Sequence, residues 1–298
     1  MSRRTKSLGA VLAIAVVFGG GALAFSRTLA GAAVFASRDQ FIRSGADPRV
    51  LYEPGMDAEA ALVVSILPGA IAHIEKQQYL PLAKPFRIYV CNSQESFNTY
   101  MGAPPGATAR GVKVLNDIFL APVAFSSWRG DTHESVLAHE LSHLHLYQRL
   151  GHRKSLWDTP VWFLEGLAVV VSGGGGEGVT PSDAEASILS GHHFTPDDCG
   201  SLLRPKRAAD YGTETFMFYR QSELFVRFIR NQNTSGFENF LLALQLGGNG
   251  NFATLFEASF GTDVDGMWEK FEAHLRKSRS SAGIPRHLRG ETVWEHGV

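Results

Sequence analysis

The chain has 298 residues, 44% of them hydrophobic and 19% charged, with a formal net charge of -1. That length can bury one large core or two small ones, and the composition is that of a folded globular protein. A near-neutral charge, with no RNA-binding signature, Walker-type loop or strand-borne GxGxxG, argues against nucleic acid as a partner and against nucleotide-dependent chemistry.

Arg3, Arg4 and Lys6 precede an uncharged run from Leu8 to Phe25. A positive start followed by an apolar stretch reads as either a secretory signal peptide or a signal anchor. Ala22-Leu23-Ala24 offers a small-x-small cleavage site, while the run approaches the ~18–20 residues of a single span. Either outcome places the chain beyond residue 36 outside the cytoplasm, in the periplasm or extracellular space; the anchor alternative tethers it to the inner membrane through residues 8–25. Residues 1–36 are thus leader and linker, and 26–50 as a whole read as linker ending at Asp47-Pro48. Cys91 and Cys199 either pair, as an exported chain permits, or stay free thiols; neither lies in a CxxC.

Residues 37–84 form a helical lead-in whose main element runs from Asp57 to Gln77, with apolar residues at Ala61, Val64, Ile66, Ile71 and Ile74 and a stop at Pro81 and Pro85. Phe86–Cys91 alternates and is rich in strand formers. Ser93 caps a short helix to Tyr100, and a Gly/Pro loop spans 102–108. Gly111–Val114 and Asp117–Ala121 read as two strands joined at Asn116-Asp117. From Asp131 the chain turns helical. Asp131 and Glu134 have capping-box spacing, and the helix runs to Leu150, where Gly151 stops it. A second helix starts at Thr159 (cap) and Pro160 and ends near Val171; Gly173–Gly176 is a loop, and residues 181–210 are turn-rich. Helical patterns resume at 213–230, 236–245, 252–258 and 263–277, and 278–298 is a loose tail. Strands first and helices afterwards give an α+β chain, with a small mixed or antiparallel sheet on the 131–150 helix and a mainly helical C-terminal half.

His139-Glu140-Leu141-Ser142-His143 is an HExxH pattern inside that amphipathic helix. Residues four apart share a helix face, so two imidazoles can meet one tetrahedral zinc, with Glu140 within reach of a zinc-activated water as general base. Val136, His139, Glu140, His143 and Tyr147 form one face; Leu137, Leu141 and Leu144 form another. Val161–Val171 is an apolar run broken by a single carboxylate, Glu165. A charge there is costly unless an arginine pairs with it or a metal binds it. As a third ligand it leaves the fourth zinc position open, as a catalytic site needs. His133, His145, His192 and His193 read as surface or supporting residues, not ligands.

HELSH followed by Trp162-Phe-Leu-Glu165-Gly-Leu-Ala168 resembles the gluzincin zinc metallopeptidases, specifically the peptidase MA-like family, over about residues 85–275. The resemblance implies a zincin-like metallopeptidase domain over 85–277, one zinc ion on His139, His143 and Glu165, and a peptide or protein substrate. It also implies a tyrosine on a later helix that stabilises the oxyanion. Tyr219 matches that element, and Tyr211 is the rival. An edge strand that aligns the substrate is expected too, and Asp117–Ala121 fits. Thermolysin-like members carry an aspartate four residues after the ligand glutamate; here that position is Val169, so the ligands are oriented from elsewhere. No GxMEN-type aminopeptidase signature is present. Two functions follow: an extracytoplasmic zinc peptidase, or a non-catalytic zinc-binding scaffold of the same fold. A membrane-embedded protease is not expected, because no other apolar stretch looks long enough for a span.

Overall fold

The computed structural model describes residues 36–102, 109–126, 132–176, 178–201 and 206–282. The Leu8–Phe25 segment, most of the Gly/Pro loop, the Asp131 cap and the chain beyond 282 lie outside the described residues. Two compact units are present: residues up to Lys76 with Pro81–Gln148, and Gln77–Leu80 with Arg149 onward.

The first unit is built on a mixed five-stranded sheet of order β1-β2-β3-β5-β4. β1 (Ile42–Arg43) pairs antiparallel with β2 (Val50–Tyr52). β2 runs parallel to β3 (Arg87–Val90), and β3 parallel to β5 (Asp117–Leu120). β4 (Gly111–Val114) closes the order, antiparallel to β5. Ile88, Tyr89 and Val90 are all buried, as expected of a central strand covered on both faces. The parallel β2–β3 pair needs a long crossover, which helix α1 (Asp57–Gln77) supplies. Helix α2 (Gln94–Met101) starts at Ser93, whose hydroxyl accepts from Ser96 N. One sheet face carries an aromatic cluster in which Phe119 stacks against Tyr89 at 4.7 Å and Tyr100 at 4.6 Å.

Two expectations for this region are corrected. The linker over 26–50 contains β1 and leads straight into β2; strands of two or three residues are too short to show alternation. Among the described residues α1 is, by length and composition alone, long and apolar enough to cross a bilayer. Its Ala60, Val63, Leu67 and Ile74 are buried and form an inward stripe.

Helix α3 spans His133–Arg153, and Gly151 interrupts it at φ 70°, so the regular helix stops at Leu150 as its glycine implies. Ser135 N donates to Thr132 Oγ1 at the start.

The second unit is helical: α4 (Val161–Ser172), α5 (Pro181–Leu189), α6 (Thr215–Gln232), α7 (Thr234–Leu246), α8 (Phe252–Phe260) and α9 (Val264–Ala282). Its core is aromatic. Trp162 packs on Phe225 at 4.9 Å, and Phe163 meets Phe252 at 5.2 Å and Phe240 at 5.5 Å. α4 lies against α6 so closely that a Cβ on Gly166 would stand 2.5 Å from Ser222 O. Two further corrections apply. Pro160, not Thr159, precedes α4 at the cap position; the Thr159 hydroxyl donates instead to Lys154 O. The turn-rich stretch from 181 holds α5, which starts with a capping box between Thr180 and Asp183. The chain is therefore α+β, a small mixed sheet first and a helical half after it, as its order of elements implies.

Candidate metal centre

The sequence divides α3 into two stripes, and the structure uses them differently. Leu137, Leu141 and Leu144 are fully buried and anchor the helix. The neighbouring stripe holds the histidines. One turn of helix brings His139 Nε2 and His143 Nε2 to 3.1 Å, with the rings nearly perpendicular at 81°. Two Nε2 atoms bound to one tetrahedral zinc at ~2.0–2.1 Å stand about 3.3 Å apart, so the observed separation suits a shared metal. Glu165 lies on α4, just before Gly166. Among the described residues, His139, His143 and Glu165 are a group that could hold a metal ion. Two imidazoles and a carboxylate are the donor set of a catalytic zinc site, and they satisfy the fit.

Glu140 is 8% exposed. Its carboxylate arm packs against the first residue of β4: a Cβ on Gly111 would stand 2.7 Å from Glu140 Cγ and 3.0 Å from Oε1. A larger residue at this position would have to displace the Glu140 side chain. Two residues on, along the same strand face, Lys113 sends its ammonium 3.7 Å from the centre of the Tyr147 ring. Burial pulls the Lys113 ammonium down to about 8, and the Glu140 charge pushes back upward. Burial likewise pushes the Tyr147 phenol upward. The alternate residues Val112 and Val114 pack toward the aromatic cluster. β4 thus has one apolar face and one face turned to α3.

The expected substrate-aligning strand is corrected. Asp117–Leu120 is β5, enclosed between β3 and β4, whereas Gly111–Val114 is one of the two terminal strands of the sheet, β1 being the other. β4 and β5 look alike in sequence, and only the pairing order separates them. Of the two readings for His145, surface or supporting, the surface one is excluded, since it is fully buried. Lying off the ligand face turned it toward the core. His133 pairs with Glu134 at 2.8 Å, His192 contacts Ser190 Oγ at 3.1 Å, and His193 lies 3.4 Å from Glu272.

Of the two tyrosines, Tyr211 donates its hydroxyl to Asp197 Oδ2 at 2.7 Å and stacks on Phe218 at 4.8 Å. Burial, then Asp197, pushes its phenol far above the usual range. Tyr219 is half-buried on α6, its ring 6.2 Å from that of Phe218. Val169, where thermolysin-like chains have aspartate, is 1% exposed and belongs to the core. Cys91 and Cys199 are both free, the first buried and the second exposed. Gly111 and Lys113 are the site residues that the sequence did not single out. Their signal is faint: a glycine and a lysine on the same parity of a short strand otherwise made of valine.

No family model matches the chain, and no curated protein matches it. Among solved structures it is similar to yeast LTA4 hydrolase in complex with bestatin, at 14% identity and a TM-score of 0.42, over 81% of this chain and 37% of that one. It is also similar to native yeast LTA4 hydrolase, at 14% identity and a TM-score of 0.45, over 83% of this chain and 40% of that one. The chain spans roughly two fifths of their length, and the chemistry of its site is read from His139, Glu140, His143 and Glu165 themselves.

Proposed function

We propose that this protein is an exported zinc-dependent metallopeptidase. The observation that carries the reading is Glu140: a carboxylate between two histidines that share a metal-binding geometry, packed at Gly111 against a terminal strand of the sheet. A metal-binding scaffold needs the three ligands and has no use for this fourth group. The export component rests on the charged start and the uncharged Leu8–Phe25 run.

His139, His143 and Glu165 would hold one zinc ion. Zinc, when bound, supplies Lewis acidity that polarises a carbonyl and makes water more acidic. The remaining steps belong to the chain. An extended peptide adds to β4 through backbone hydrogen bonds, which fixes the scissile carbonyl relative to Glu140. Glu140 takes a proton from the attacking water as the new C–O bond forms. It then returns that proton to the amide nitrogen as the C–N bond breaks. Tyr219 is the proposed donor to the developing oxyanion, a role for which its phenol has the right chemistry.

The test uses full-length protein supplied with zinc and a mixed peptide library read by mass spectrometry. Wild type is expected to cleave, and Glu140→Gln to lose about 10²–10⁴-fold in rate, the usual share of a general base, while retaining zinc. Equal cleavage by the two proteins would exclude the peptidase reading. Zinc retention with no cleavage by wild type would support the alternative, a non-catalytic zinc-binding scaffold.

A further inference from the structure

We infer that Lys113 is a specificity residue of the proposed peptidase site, selecting peptides that present a carboxylate beside the scissile bond. This inference rests on the peptidase reading for its setting, and on β4 for its substance.

The strand dictates where the lysine goes. Side chains alternate across a strand, so Gly111 and Lys113 share one face while Val112 and Val114 share the other. The valines pack toward the aromatic cluster of Phe41, Tyr89 and Phe119. Gly111 and Lys113 therefore face α3, where Gly111 touches Glu140 and the Lys113 ammonium covers Tyr147. Tyr147 lies one helical turn beyond His143, on the stripe that carries the metal-binding residues. The ammonium thus lies on the α3-facing side of β4, two residues along the strand from the glycine that packs on the candidate base, within the stretch that an added peptide strand would pair with.

Its surroundings set the sign of what it attracts. The aromatic face of Tyr147 stabilises a cation and supplies no carboxylate of its own. Glu140 is the carboxylate whose charge acts on it, and that side chain packs at Gly111, two residues away along the strand. Burial makes the cation costly, so an incoming carboxylate gains more here than on an open surface. A bare peptide carbonyl offers only a partial charge, and a basic side chain is repelled. The shared ligand chemistry is a peptide carboxylate, supplied by an aspartate or glutamate side chain or by the free C-terminus.

The experiment compares full-length zinc-loaded wild type, Lys113→Met, Lys113→Arg and Lys113→Glu on matched peptide libraries with free or amidated C-termini. Zinc content is measured for each variant. Wild type is expected to favour acidic over neutral peptides by at least ten-fold in kcat/KM, with most of the difference in KM. Lys113→Met removes that preference by losing acidic peptides about ten-fold more than neutral ones, Lys113→Arg keeps it, and Lys113→Glu shifts it to basic residues. Preference that survives amidation assigns the carboxylate to a side chain; preference lost on amidation assigns it to the chain end. A uniform loss on acidic and neutral peptides in Lys113→Met would show that the lysine merely holds Glu140, and would overturn the inference. A wild type without acidic preference would overturn it too. If wild type cleaves nothing, the peptidase reading fails, and fluorescence anisotropy with labelled acidic and neutral peptides decides the lysine separately. Ten-fold tighter acidic binding, lost in Lys113→Met, supports carboxylate selection, and equal binding refutes it.

Discussion

Gly166 follows the third proposed ligand directly, and its replacement by alanine tests how α4 is held. The added methyl would meet Ser222 O at 2.5 Å, Ser222 C at 2.7 Å and Val226 Cγ2 at 2.8 Å. Two of those three atoms are backbone of α6, so relief requires a shift of the helix and not a rotamer change. Overpacking a tight core costs ~1–3 kcal/mol, and rigid backbone neighbours place this site at the upper end. Against that, alanine in a helix interior gains about 1 kcal/mol over glycine. The net loss is about 2 kcal/mol, or roughly 4–8 °C in Tm for a chain of this size. Gly69 is the internal control. It is also helical, with no atom within 4 Å of its virtual Cβ, so Gly69→Ala keeps only the propensity term and gains ~0.5–1 kcal/mol. Urea and thermal unfolding of the three proteins, with zinc affinity measured in parallel, reads both effects. A Gly166→Ala protein as stable as Gly69→Ala would refute the close approach of α4 and α6.

Other outcomes follow from the same geometry. Glu223 is 1% exposed and binds both Arg220 and Arg227; Glu223→Ala should cost ~3–5 kcal/mol by stranding the half-buried Arg220, whereas the more exposed Arg227→Ala should cost ~1 kcal/mol or less in the same unfolding assay. Native protein treated with a thiol reagent should label Cys199 readily, and Cys91, buried and with its acidity pushed far down by desolvation, only on unfolding. Lys113 titrates near 8 when folded and near 10.5 when unfolded, so between those values the unfolded chain binds more protons and stability rises with pH. The urea-midpoint advantage of Lys113→Met over wild type should therefore shrink from pH 7.5 to pH 10, and an advantage that grows would contradict the assignment. Purified protein should carry one zinc, and chelation should lower Tm in a zinc-concentration-dependent way.

Much of the fold was legible because its longer elements obey local rules. Asp57–Gln77 was visible at its observed bounds from apolar spacing and flanking prolines, and Ser93 and Gly151 marked a start and a stop through capping chemistry alone. Short elements were not legible. β1 and β2 hold two and three residues; β2 is a strand through its ladder to β3, some forty residues away, and β1 through its ladder to β2. α5 stayed hidden because its nine residues lie in a stretch rich in turn formers, although Thr180 and Asp183 carried the capping-box signal.

For the site, the sequence by itself put His139, Glu140 and His143 on one helix face, because a four-residue spacing on a helix is a local geometric fact. It also raised Glu165, because a carboxylate in an apolar run needs a reason. Only tertiary structure decided which strands end the sheet, since pairing order depends on contacts between distant segments: the edge position expected of Asp117–Ala121 belongs to Gly111–Val114. Tertiary structure alone turned His145 inward and placed Gly111 on Glu140 and Lys113 on Tyr147. A helix repeat can be read along the chain; which face of a strand meets which face of a helix is fixed only when both are packed.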